Sequence, residues 1–151
     1  METDAQVLDR VRETVGPAAA TMFVEGDRDR HFIFELTLTG VALYLLGKYL
    51  DGFVDGLGIK ELGKKHAQSI TKAIQYGLDA FKGKVVPQEE ELDRHGRELS
   101  QVVILLHEFR SNPAALESGS ARLLQAFEQA GIPRTEAQRI IKNMEGAIWQ
   151  Q

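Results

Sequence analysis

The chemistry open to this chain rests on four histidines and one cluster of carboxylates. His66 and His95 each fall on the apolar stripe of a helical pattern. An imidazole turned inward from each of two antiparallel helices can share a metal ion or a planar cofactor. His31 and His107 have no readable partner. Glu89, Glu90, Glu91 and Asp93 form the densest acidic run. A di-iron helical site needs Glu-x-x-His, and Glu91 stands one residue too far from His95. At the start of a helix these acids complement the macrodipole and read as a solvated first turn. With no cysteine in the chain, a thiol nucleophile, a disulfide scaffold and Cys-ligated zinc or iron–sulfur are excluded. No Walker loop is present, and Gly52, Gly56, Gly58 and Gly63 lack the order of a phosphate cradle. Ser and His form no nucleophile elbow. Neither an enzyme nor a bound cofactor or metal is expected. Should a cofactor bind, His66 and His95 are the candidate ligands.

Helices must position these residues, because no alternating β-branched run is bounded by hairpin turns. The first helix is expected from about Thr3 to Val15, with Val7, Leu8, Val11 and Val15 inward and Gly16-Pro17 ending it. The most apolar segment, 31–56, is hydrophobic around most of its circumference, the pattern of a helix central to a bundle. Gly40 and Gly47 lie one heptad apart on its thin stripe of small and polar residues, which would admit a neighbouring backbone. A helix over 59–81 follows, with Ile59, Leu62, His66, Ile70, Ala73, Ile74, Gly77 and Phe81 on one face. Another is expected over 88–110. Asn112-Pro113 suits the N-cap and first position of a short helix. Ala121–Ala130 then closes at Gly131, and Thr135 to Gln138 has capping-box spacing for a final helix to about Trp149. The expectation is an all-α fold, a bundle of five or six helices around 31–56. Its division would be a bundle over 1–117 and a helical hairpin over 118–151 packed on the same domain.

Three stretches resemble known patterns. Leu62-Gly-Lys-Lys-His66-Ala-Gln-Ser-Ile70-Thr-Lys-Ala73-Ile74 resembles the distal-histidine helix of globins, which implies a haem or ligand sensor with His95 as the proximal partner. Leu45 replaces the haem-clamping phenylalanine of that family, and Glu91 stands where an apolar residue belongs. The pair of segments from Leu124 to Ile140, turning at Gly131, resembles a repressor helix-turn-helix, which implies DNA binding. Phe127 is bulky where that motif wants a small residue, and the segment carries little net charge, so nucleic acid is not the expected partner. The apolar 31–56 helix followed by the Lys-rich helix over 59–81 resembles pore-forming designs in outline. That resemblance implies an anionic membrane surface contacted by Lys60, Lys64, Lys65 and Lys72.

The 151 residues are 43% hydrophobic and 26% charged, ordinary values for a folded domain. A net charge of −4 conceals alternation: residues 58–84 carry two acids and six bases, between acidic stretches on either side. Neighbouring helices of opposite charge would attract one another. Met1-Glu-Thr-Asp lacks the basic start and apolar run of a secretory signal, so a cytoplasmic protein is expected. Only twelve uncharged residues separate Glu35 from Lys48, a length typical of a core helix rather than a membrane span. The function expected is a non-catalytic interaction or regulatory module. It would self-associate through surplus apolar surface on the central helix. Phe32, Phe34, Tyr44, Tyr49, Phe53 and Trp149 are the expected contacts, because aromatics dominate interface energetics. The expected partner is a protein or a second copy of this chain.

Overall fold

A computed structural model describes residues 6–23, 31–58 and 62–150. Lys60 and the side chains of His31, Phe32 and Phe34 lie outside the described residues. Among the described residues six α-helices are formed: α1 (Gln6–Phe23), α2 (His31–Leu57), α3 (Lys64–Phe81), α4 (Glu89–Leu106), α5 (Pro113–Gln129) and α6 (Arg134–Ile148). A 3₁₀ turn, His107–Phe109, follows α4. The described residues contain no strand. The fold is all-α, as the periodicity requires.

Helix α2 is the spine. Val41 to Gly47 are buried without a break, and α1, α3, α4 and α5 all pack on it. The small residues on α2 decide how closely. A Cβ at Gly77 of α3 would lie 2.6 Å from the Gly40 carbonyl oxygen and 2.9 Å from the Tyr44 nitrogen. On the other side, a Cβ at Gly52 would lie 2.7 Å from the Ser118 carbonyl oxygen. These are backbone-to-backbone approaches that only glycine allows. They run α3 and α5 antiparallel to α2, since residues 40 and 47 meet 80 and 74, and residues 52 and 56 meet 119 and 115.

Four expectations need correction. The end read at Gly16-Pro17 is not among them: Gly16 is non-helical at φ 75° and ψ 157°, and Pro17 starts a second helical piece that the pattern did not show. This second piece of α1 buries Ala19 and Phe23. Helix α5 runs unbroken across Ser118-Gly119-Ser120, where a break was expected. Gly119 is used there for packing, and a Cβ would sit 2.8 Å from the Tyr49 ring. The division at 117/118 therefore falls inside a helix, and α5 lies along α2 rather than in a lobe at one end. Helix α6 starts after Pro133 with no side-chain cap from Thr135. Finally, the helix expected from Ile59 begins only at Lys64, since Leu62 is a bend and Gly63 has a φ of 89°. Two turn signals hold: Asn112 Oδ1 accepts from the Ala115 N–H at 3.0 Å, and Gly131 adopts a positive φ of 82° after α5.

Candidate functional site

The densest set of chemistry-bearing side chains joins α2, α5 and α6. The Tyr49 hydroxyl donates to Glu145 Oε2 at 2.9 Å and accepts from Trp149 Nε1 at 3.0 Å. Ser120 Oγ donates to the same Glu145 oxygen at 3.1 Å. Burial raises the Tyr49 pKa; the indole hydrogen bond lowers it in part, and Glu145 raises it further, so the phenol stays protonated. Phe53 packs on the Trp149 ring at 4.8 Å and on Tyr49 at 5.9 Å. With its polar groups engaged on one another, this network fastens the end of α6 to the spine. A second fastening is Arg122 of α5, whose guanidinium pairs with Asp51 and, at 3.1 Å, with Asp55 of α2.

Tyr49 and Phe53, expected at a partner surface, are each 0% exposed, and Tyr44 is 8% exposed. The expectation of contact surface at these three is corrected. The apolar circumference of α2 that suggested such a surface is covered by α1, α3 and α5 of the same chain. Trp149 is half-buried and acts as a lid over the Tyr49–Phe53 end.

The expected His66–His95 site is not assembled. His95 is 4% exposed, and the ring facing it, at 5.0 Å and 32°, is that of Tyr76. Tyr76 lies ten positions further along α3 than His66, about 15 Å at 1.5 Å per residue. The two imidazoles therefore do not meet across the α3–α4 hairpin. Burial, aided by Arg94, lowers the His95 pKa against the opposing pull of Glu98, whose Oε1 is 3.6 Å from Nδ1. Among the described residues, no group of three or more His, Asp and Glu is placed to hold a metal ion. Lys64, Lys65 and Lys72 are exposed on α3. None of the described helices is long and apolar enough to cross a membrane. The α5–α6 pair turns at Gly131 as its resemblance implied, with Arg134, Glu136, Arg139 and Lys142 exposed on α6.

A cavity of about 310 Å³ opens where α1, α2, α3 and α5 converge. Phe23, carried there by the restarted half of α1, is its keystone. Its ring meets Phe81 at 5.6 Å and Tyr44 at 6.4 Å edge-on, and Tyr44 meets Phe81 at 5.1 Å. Phe127 supports Phe23 from behind at 5.8 Å. Such edge-to-face pairs are worth about 0.5–1.5 kcal/mol each beyond area burial, so the aromatic wall is rigid. Met22, Leu78, Ala126 and Ala130 complete the apolar lining, and Lys82 and Gln129 contribute polar groups. Tyr44 is the informative residue. It is more than nine-tenths buried, burial alone raises its pKa, and its hydroxyl has no hydrogen-bond partner among the described residues.

Tyr44 was singled out from the sequence, though for an outer surface. Phe23 and Phe81 were not assigned to a site. Pro17 as a helix start, followed by Ala19 and Phe23 at i, i+4 spacing, was the signal for the first. A second cavity, also about 310 Å³, lies between α1, α2 and α4. Asp9, Glu35, Glu89 and Asp93 line it against Arg12, whose Nη1 is 3.4 Å from Thr39 Oγ1. Comparison with protein-family models, curated proteins and solved structures gives no match to this chain.

Proposed function

We propose that this protein is a non-catalytic binding module whose ligand is a small molecule with a ring-sized apolar body seated in the Phe23–Tyr44–Phe81 cavity. The observation that carries this reading is a preformed pocket with an aromatic wall into which Tyr44 contributes a hydroxyl that makes no hydrogen bond to the described residues. Binding pockets combine a largely apolar lining with a few placed polar groups, and 310 Å³ is at the small end of their range. About ten water molecules would occupy that volume, which suits a ligand built on one ring. The lining offers no paired nucleophile and base: its polar members are Tyr44, Lys82 and Gln129. A ligand that binds only the folded chain raises stability by about 2.7 kcal/mol at one hundred times its dissociation constant. For a chain of this length that is about 5–10 °C in Tm. Titration with toluene or indole during thermal unfolding should show this rise. The substitution Ala130→Phe, which fills the cavity from its half-exposed edge, should abolish the rise while leaving unfolding cooperative. No shift with either probe up to saturation defeats the proposal.

Self-association, as a second reading, is favoured by one observation. Ile104 and Leu105 of α4 stand side by side at 68% and 48% exposure. A stable dimer buries about 800 Å² per partner, so this pair would have to anchor a wider contact with a second copy. Sedimentation of the chain and of its Ile104→Lys, Leu105→Lys variant tests it. A concentration-dependent dimer lost in the variant supports it, and a monomer at high concentration removes it.

A further inference from the structure

Resting on the pocket reading above, we infer that the ligand carries a single carboxylate, its apolar body against the Phe23 and Phe81 rings and its head between the Tyr44 hydroxyl and Lys82. Three observations converge on this class. Among the described residues the lining contains one cation and no acid, so that part of the pocket favours an anion. Lys82 is exposed and available at the edge where α3 ends. A second ammonium, Lys48 Nζ, sits 5.9 Å from the centre of the Tyr44 ring and adds positive potential on the same side of α2. The Tyr44 hydroxyl lines the pocket and can donate to a carboxylate oxygen. The contrast within the molecule is sharp. The other cavity of equal volume is lined by four carboxylates and one arginine, which would repel such a ligand.

Phenylacetate and its neutral isostere phenylacetamide separate the headgroup inference from the pocket itself. Both fit the volume and differ at the headgroup, where the amide is neutral, a weaker acceptor and a donor. Calorimetric titration of the full chain at low ionic strength should favour phenylacetate by about fivefold, the scale of one exposed ion pair. The preference should shrink in high salt. Lys82→Gln, an exposed substitution that leaves the core intact, should equalise the two probes. Tyr44→Phe keeps the aromatic wall and should weaken both probes by about three- to tenfold. If phenylacetamide binds as well as phenylacetate, or if the preference survives Lys82→Gln, the carboxylate inference falls while the apolar pocket stands. If neither binds and toluene also fails, both fall together.

Discussion

Tyr49 shows how much of this protein depends on single hydroxyls. Replacing it with phenylalanine keeps the ring against Phe53 but removes its donation to Glu145 and strands the Trp149 N–H. A hydrogen bond to a charged acceptor is worth about 1.5–3 kcal/mol, so Tyr49→Phe should cost about that much in urea unfolding. The alkaline limb carries the same information. Tyr44 and Tyr49 both have native pKa values raised above 10.0. Above pH 10 the unfolded chain releases these protons while the native one keeps them. Native protein thus binds more protons, and stability falls as pH rises. Unfolding free energies at pH 9 and 11 should show the decline, and Tyr49→Phe should flatten it. His95 acts at the opposite end. Its pKa is lowered in the native state, so below the ordinary 6.5 the unfolded chain gains the proton first and stability drops as pH falls. His95→Gln should remove that part of the acid loss.

Among the helices, the glycine seams separate packing from propensity. Gly77→Ala gains up to about 1 kcal/mol of helix propensity but drives a methyl into the Gly40 carbonyl and the Tyr44 backbone. Backbone cannot yield as a side-chain tip does, so a net loss of about 1–3 kcal/mol is expected. Gly146 on α6 has nothing within 4 Å of the added methyl, and Gly146→Ala should stabilise by about 0.5–1 kcal/mol. Chemical denaturation of the pair measures both signs. Much of this layer was legible in advance. The all-round apolarity of 31–56 marked the spine, the heptad of Gly40 and Gly47 marked the α3 seam, and Asn112-Pro113 marked the start of α5. What failed was local punctuation read without tertiary context. Gly119 looked like a break until the Tyr49 ring needed its space, and the helical piece from Pro17 to Phe23 went unread although Gly16 does end the first. His66 and His95 shared a periodic face, but the offset between antiparallel helices is not encoded in either helix alone. The cavity was invisible for the same reason: residues 23, 44, 81 and 126 meet only through the fold.

Across the molecule, stability should be graded outward from α2. Its stretch from Val41 to Gly47 is wholly enclosed, so its amides should exchange only through global unfolding. The 3₁₀ turn at 107–109, with no buried residue, should exchange far earlier. Hydrogen exchange read by mass spectrometry orders these segments; early exchange of 41–47 would contradict the enclosed spine.

Trp149 is the chain's single tryptophan, and its indole N–H reaches the Tyr49 oxygen while its ring lies on Phe53. An intrinsic fluorophore is thus placed at a joint between the end of the last helix and the centre. Emission from it would report the undocking of α6 by itself, distinct from loss of helicity by circular dichroism. Stopped-flow traces recorded both ways would show whether the C-terminal segment lets go before the bundle melts.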